Sequence, residues 1–314
     1  MARRRNRGRS INGIFLLDKP QGLTSNQALQ RVKNLFDANK AGHTGALDPL
    51  ATGVLPICLG EATKFSQFLL DSDKHYLSTF TLGVTTETGD SEGDVVVEHD
   101  AGAVTLAQIE AAIEDFRGEI QQVPSMYSAL KHKGQPLYKL ARQGIEVERE
   151  ARTITVFDFQ ILDFRPGQQA CLDVQVHVSK GTYVRSLAED LGRVLGCGGH
   201  VSALRRNIAG PFAESETMTL QDLQTLAEAS EPADLDYLLK PMDVSVADRM
   251  AVELTATVAT YFQLGQPVMS TQAFRHGQEG DIVRVFREGG AFLGVATVTE
   301  DGRIAPKRLV VEAD

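Results

Sequence analysis

Tryptophan is absent from this 314-residue chain, and cysteine occurs only at Cys58, Cys171 and Cys197. Three widely spaced thiols build no disulfide framework and match no metal-ligand spacing. Free thiols in a reducing cytoplasm and no metal site are therefore expected. No apolar run approaches the roughly 20 residues that cross a bilayer, so no helical membrane span is expected. The start, MARRRNRGRS, has neither the apolar stretch nor the small-residue cleavage site of a secretory signal. Also missing are the GxSxG elbow of serine hydrolases, the Gly-rich loops that hold phosphates or dinucleotides, and any paired-carboxylate motif of glycosidase or aspartic-protease type.

What is present is an ordinary globular composition, 42% hydrophobic and 23% charged, in a length that suits one large domain and one small one. The net charge of −9 argues at first against a polyanionic partner, but its distribution does not. The first nineteen residues hold Arg3, Arg4, Arg5, Arg7, Arg9 and Lys19 against Asp18 alone. Lys131 to Gly144 holds Lys131, Lys133, Lys139 and Arg142 with no acid, while nine acids face Lys240 and Arg249 between Glu214 and Arg249. Phosphate binding follows local potential, and the basic segments leave a nucleic-acid partner open. The Arg-rich start reads equally as an RNA-binding arm or as a solubilising tail.

Local patterns place the elements. Gly13–Leu17 is a short buried strand followed by a turn over Asp18–Gly22. Ser25 is expected to cap a helix carrying Ala28, Leu29, Val32, Leu35 and Phe36. Ala62, Phe65, Phe68 and Leu69 mark a further helix, and Tyr76–Val84 is rich in β-formers. Thr105 and Gln108 make a capping box for a helix with Leu106, Ile109, Ile113 and Phe116. Leu172–Val178 alternates strictly, as a half-buried strand does. Ser179–Thr182 then turns into a helix with Val184, Leu187, Leu191 and Val194 on one side. Strands follow one another without regular β-α alternation, which predicts an α+β fold with a mixed or antiparallel sheet. After residue 250, β-like runs at Ala251–Val258, Asp281–Phe286, Ala291–Val298 and Arg308–Val311 suggest a small all-β module. The expected division is 1–249 and 250–314.

The most specific chemistry lies in Ala41–Gly60, AGHTGALDPLATGVLPICLG. Its glycines admit unusual backbone or close approach, and Pro49 keeps Asp48 out of the α region. Asp-Pro usually opens a plain turn, but this one is collared by Leu47, Leu50 and other apolar residues, with one imidazole at His43. A lone carboxylate held in this way suits a nucleophile, provided that it stays ionised. Desolvation opposes ionisation, so a cation is needed nearby, and Arg185 at the start of a helix is the best placed. Tyr76 and Tyr183, each close to basic residues, are either packing residues or stacking platforms for RNA bases.

The blocks DKPQG (Asp18–Gly22), GHTGALDPLATGVLPICLGEATK, KHY (Lys74–Tyr76), TETGDSEG (Thr86–Gly93), PSMYSALKHKGQPLYKLARQG (Pro124–Gly144), SKGTYVRSLAEDLG (Ser179–Gly192) and LRRNIAGPF (Leu204–Phe212) follow one another in order over two thirds of the chain. Together they resemble the TruB-type tRNA pseudouridine-55 synthase family. The resemblance implies a pseudouridine synthase core with an RNA-binding cleft over residues 1–249, followed by a PUA-like RNA-binding module. It implies isomerisation of uridine 55 in the tRNA T-loop by base flipping, with Asp48 as nucleophile, Tyr76 stacking on the base and handling its proton, and Arg185 paired with Asp48. His43 would fill the space left by the extruded nucleotide, Tyr183 and Leu204 would line the uracil pocket, and Lys19 with Pro20 would lie in a block supporting the loop and contributing to substrate binding. Val184 stands where the family often has isoleucine. No cofactor, no membrane, no obligate protein partner and a cytoplasmic monomer are expected, with the T-arm of tRNA as partner. Two other readings stay open, a tRNA folding chaperone with or without catalysis, and a related synthase acting on ribosomal RNA in a guide complex.

Overall fold

The computed structural model of the chain describes residues 8–128 and 130–311. Arg3, Arg4, Arg5 and Arg7 of the basic start lie outside the described residues. Arg9 lies inside them and forms a 2.6 Å ion pair with Asp236, so one member of that basic cluster is tied to the acidic stretch near the end of the large domain.

The centre of the molecule is a ten-stranded mixed sheet. Along its path run Met218–Thr219, Gly13–Lys19, Thr52–Leu59, Gly199–Ala209, Lys74–Leu82, Cys171–Val178, Arg152–Arg165 and Gly118–Gln122. Most neighbours are antiparallel, but Gly199–Ala209 meets Thr52–Leu59 in parallel, through Arg205↔Thr52 and Arg206↔Gly53 only. The expected α+β fold with a mixed sheet is therefore present. The alternation of Cys171–Val178 is visible in its burial, every second residue being covered. Its inward residues Leu172, Val174 and Val176 join Phe80 and Phe159 under the helices Ser25–Leu35, Leu106–Glu114 and Val184–Val194, which contribute Val32, Ile109, Leu187 and Leu191. Each such side chain is worth about 1.5–3 kcal/mol of burial. The core thus fixes the helix that carries Arg185 against the strand that carries Tyr76.

Helix starts follow the local signals with one correction. Thr105 and Gln108 do form a capping box. At the first helix the cap is Thr24, in a capping box with Gln27, and not Ser25. Ser25 sits inside the first turn and is buried, with its hydroxyl accepting from the Leu47 amide (2.7 Å) and donating to the Leu47 carbonyl (3.0 Å). A residue of capping type has been recruited to hold the loop that carries Asp48.

Residues 251–309 form a separate five-stranded sheet ordered Ala251–Leu254, Ile282–Arg287, Phe292–Val298, Arg303–Leu309, Val268–Met269. Two short helices, Ala256–Gln263 and Thr271–His276, pack with it, so the run read as Ala251–Val258 divides into a strand and the start of a helix. Its own core includes Val252, Phe262, Val283, Val285 and Ile304. Phe65 of the large domain packs against Phe292, with ring centroids 5.2 Å apart.

Candidate active site

Asp48 lies in the loop between the short strand Ala41–His43 and the strand Thr52–Leu59. The loop closes locally through the Ala51 amide, which donates to the Asp48 carbonyl at 3.0 Å. Three side chains from elsewhere then pin it. Ser25 holds Leu47. Lys19 donates to the carbonyls of Ala51 (2.7 Å), Pro20 (3.0 Å) and Pro49 (3.5 Å). Arg206 donates from Nε to the Val54 carbonyl (2.8 Å) and from Nη2 to the Gly45 carbonyl (3.1 Å).

Across from the loop, Arg185 occupies the first turn of the helix Val184–Val194, and its Nε lies 3.0 Å from the Asp48 carboxylate. Both terminal nitrogens are committed as well, Nη1 to the Thr88 carbonyl (2.7 Å) and Nη2 to the Tyr127 carbonyl (3.0 Å). The guanidinium is 5% exposed, while Asp48 keeps 40% of its side chain accessible. The cation is therefore fixed and the acid faces open space. A second carboxylate shares the cation. Asp90 Oδ2 lies 3.7 Å from Arg185 Nε, and its side chain is 4% exposed. Thr88 Oγ1 (2.5 Å) and the Glu92 amide (3.1 Å) both donate to Asp90 Oδ1. Asp90 stands in the TETGDSEG block, where no local signal marks it as a site residue. Its position beside Arg185 depends on a pairing across the fold, since Asp90 bridges Val201.

The sharing has an electrostatic consequence. Burial pushes the Asp48 carboxyl above its ordinary range, Arg185 pulls it down, Asp90 pushes it up again and Lys19 opposes; the net direction is upward. Arg185 lies beside the carboxylate, yet burial, and then Asp90 on the same cation, leave Asp48 a weaker acid than an isolated carboxyl.

Asp48, Tyr76, Tyr183, Arg185 and Leu204 line one cavity of about 310 Å³, together with Lys74, Ser128 and Arg206. Tyr76 and Leu204 come from adjacent strands, with Tyr76 opposite Arg206 and Leu204 opposite Ser78. Tyr183 caps the arginine helix, held by a reciprocal pair of bonds with the Gln122 amide group (2.8 and 3.0 Å). Burial raises the Tyr183 phenol above its ordinary value, while Ser128 and Arg185 oppose. Lys74 is nearly buried and caps the helix Ser66–Leu70 through the Leu70 carbonyl at 2.8 Å. Burial, and then the charge of Arg206, bring its ammonium down to about 8.

Two expected residues stand outside this cavity. Lys19 is fully buried beneath the loop, its pKa pushed down to about 8 chiefly by burial. It supports the loop from below, and a direct substrate contact is not what its position allows. His43 is half-buried on the strand that enters the loop, with Nδ1 lacking a partner. Burial and then Arg206 lower its pKa, which favours the neutral imidazole. Among the described residues no cluster of His, Cys, Asp and Glu could hold a metal ion.

The Asp48 carboxylate beside a fixed cation opens into a cavity walled by tyrosine rings, a space that suits a planar ring. Family models match along the chain. Residues 33–184 match the N-terminal domain of the TruB family pseudouridylate synthases, residues 185–247 the tRNA pseudouridylate synthase B C-terminal domain, and residues 251–310 the C-terminal module of pseudouridine synthase II TruB. The tRNA pseudouridine synthase B of Saccharophagus degradans is 56% identical over 313 residues, covering all of both chains. That of Yersinia pestis is 54% identical over 321 residues, covering 100% of this chain and 96% of the relative. Among solved structures, a Cbf5-Nop10-Gar1 complex contains a chain that superposes with a TM-score of 0.69 at 27% identity, over 96% of this chain and 84% of that one. The chain belongs to the TruB family of pseudouridine synthases and is an isomerase.

Proposed function

We propose that this chain converts uridine 55 in the T-loop of tRNA into pseudouridine, with Asp48 as the nucleophile. The observation that carries the reading is the Asp48 carboxylate, held 3.0 Å from Arg185 and opening into the cavity walled by Tyr76, Tyr183 and Leu204. The choice of tRNA follows from relatives named tRNA pseudouridine synthase B, at more than half identity over the full chain.

The reaction breaks the bond between the ribose C1′ and N1 of uracil and forms one between C1′ and C5. The C5 proton leaves and N1 gains one, so nothing is oxidised and no atoms are lost. The detached base must stay oriented while it turns, which a closed, base-sized cavity provides and open solvent does not. A T-loop base must first leave its stack, at a cost of a few kcal/mol. In this reading Tyr76 stacks on the flipped uracil and handles a proton, Tyr183 and Leu204 line its edges, Arg185 aims Asp48, and His43 fills the vacated space. Residues 1–249 carry catalysis, and residues 250–314 add a PUA-like RNA-binding surface. The enzyme works in the cytoplasm as a monomer without a cofactor.

Asp48→Asn preserves shape and removes the nucleophile. It is expected to abolish pseudouridine formation in an unmodified tRNA transcript while leaving binding within a few-fold. Conversion by this variant would refute the assignment. Retained binding and accelerated tRNA folding without conversion in the wild-type protein would favour the chaperone reading.

A further inference from the structure

Arg206 is among the largest fully buried side chains, 1% exposed, and no carboxylate among the described residues pairs with it. A buried guanidinium held by carbonyls alone is a costly choice, since desolvation is not offset by an opposite charge, and an apolar side chain of similar volume is often as stable. What arginine supplies and an apolar residue cannot is a rigid fork with several donors at fixed separation.

Those donors reach both ends of one loop. Gly45 and Val54 bracket Asp48, and Arg206 bonds the carbonyls of both. The backbone ladder between the two strands stops at Arg206↔Gly53. The side chain of Arg206 continues the connection one residue further along the loop strand and then back to the loop's first turn. Gly53 makes the approach possible. At φ +100°, a Cβ on it would lie 2.2 Å from the Arg206 carbonyl oxygen. On its other side Arg206 is the register partner of Tyr76. One residue on the central strand thus sets the Asp48 loop relative to the tyrosine strand.

We propose that Arg206 is a positioning residue for the isomerisation, clamping the Gly45–Val54 loop so that the Asp48 carboxylate meets the base held over Tyr76. The inference rests on the Asp48-centred reading above. Lys19 and Ser25 hold the middle of the loop, and the Arg206 side chain bonds both of its ends. Its uncompensated charge also reaches His43, Lys19 and Lys74, each of which it makes less prone to hold a proton.

The test compares wild type, Arg206→Gln, Arg206→Lys and Asp48→Asn on one unmodified tRNA transcript. Single-turnover conversion at saturating RNA is read beside the dissociation constant. Arg206→Gln keeps a donor but loses the fork. It is expected to slow conversion about 10²-fold, the scale of a misplacement of about 1 Å, with RNA affinity within about three-fold of wild type, as loss of a step made only in the transition state requires. Arg206→Lys, which reaches one carbonyl and keeps the charge, is expected to recover about ten-fold of that loss. Hydrogen exchange supplies a readout independent of turnover. The amides of Thr44 and Ala51, bonded to Pro56 and Asp48, are expected to lose protection in both variants while the amides of Lys74–Leu82 keep theirs. Wild-type rates, loop amides as protected as in wild type, or equal losses of rate and affinity would each overturn the clamp. An active Asp48→Asn would overturn the nucleophile reading instead, so the two failures are distinct.

Discussion

The two walls of the active-site cavity are built on opposite plans. The Asp48 wall is over-determined, with Ser25, Lys19 and Arg206 converging on ten residues of loop through buried bonds to its backbone. In the facing wall, Ser128 belongs to a segment, Gln122 to Arg149, whose described residues are only partly buried and lightly held. It has a two-residue hairpin, Lys131–His132 with Gln135–Pro136, a five-residue helix, Leu137–Ala141, and a few tethers such as Arg149 to the Pro124 carbonyl at 3.1 Å. Arg185 joins the two, bonding Asp48 on one side and the Tyr127 carbonyl on the other. On the proposed reading, covalent attack tolerates little error in where Asp48 points, a demand that the rigid wall suits. The other wall displays cations instead. Lys133 and Gly134 both have positive φ, +49° and +86°, the backbone of a type I′ turn, which sets a lysine at the hairpin tip.

Predictions that break this contrast begin where the walls meet. Arg185→Lys keeps a charge but loses the fork, and conversion is expected to fall about 10²–10³-fold, the range for removing one fixed electrostatic partner, with tRNA affinity nearly unchanged. Tyr76→Phe retains the ring and removes only the hydroxyl. A loss of about 10²-fold or more is expected from the proton-handling role, and full activity in single-turnover assays would restrict Tyr76 to stacking.

Asp90→Asn gives a smaller loss, about ten-fold, with a diagnostic pH signature. On the nucleophile reading Asp48 must be ionised to attack, and its carboxyl lies above the ordinary range through burial and then through the charge of Asp90. Activity therefore declines on acidification at a higher pH than an isolated carboxyl would dictate. Removing Asp90 moves that acid limb to lower pH, and a limb that stays in place or rises counts against the shared-cation account. Ser25→Ala strips a partner from both polar groups of Leu47. A stability loss of about 1–3 kcal/mol is expected by denaturant unfolding, with activity falling in step with loop order. On the facing wall, Lys133→Ala is expected to leave the chemical step intact and reduce the salt slope of tRNA binding by about 1.

Much of this architecture could be read locally. The alternation in Leu172–Val178, the capping box at Thr105 and the apolar stripe of Val184–Val194 depend on residues a few positions apart, and each became the element it implied. Asp48 stood out because its loop is apolar where turns are usually polar. Ser25 misled for the same reason that local reading works elsewhere. Its type suits a cap, but Thr24 next to it took that place, and a loop 22 residues away claimed its hydroxyl.

Partners distant along the chain were another matter. Asp90 meets Arg185 because its segment bridges Val201, and Arg206 reaches Gly45 across 161 positions because a short parallel ladder places its strand beside the strand that leaves the loop. Lys19, expected to support the loop and contribute to substrate binding, is buried by the sheet and bonds three carbonyls. The family and its isomerase activity were legible in the types and order of its motifs, because the residue types that a reaction needs leave marks in the sequence itself. How firmly Asp48 is held, and how many charges share one arginine, depended on sheet register and burial, which no stretch of neighbouring residues encodes.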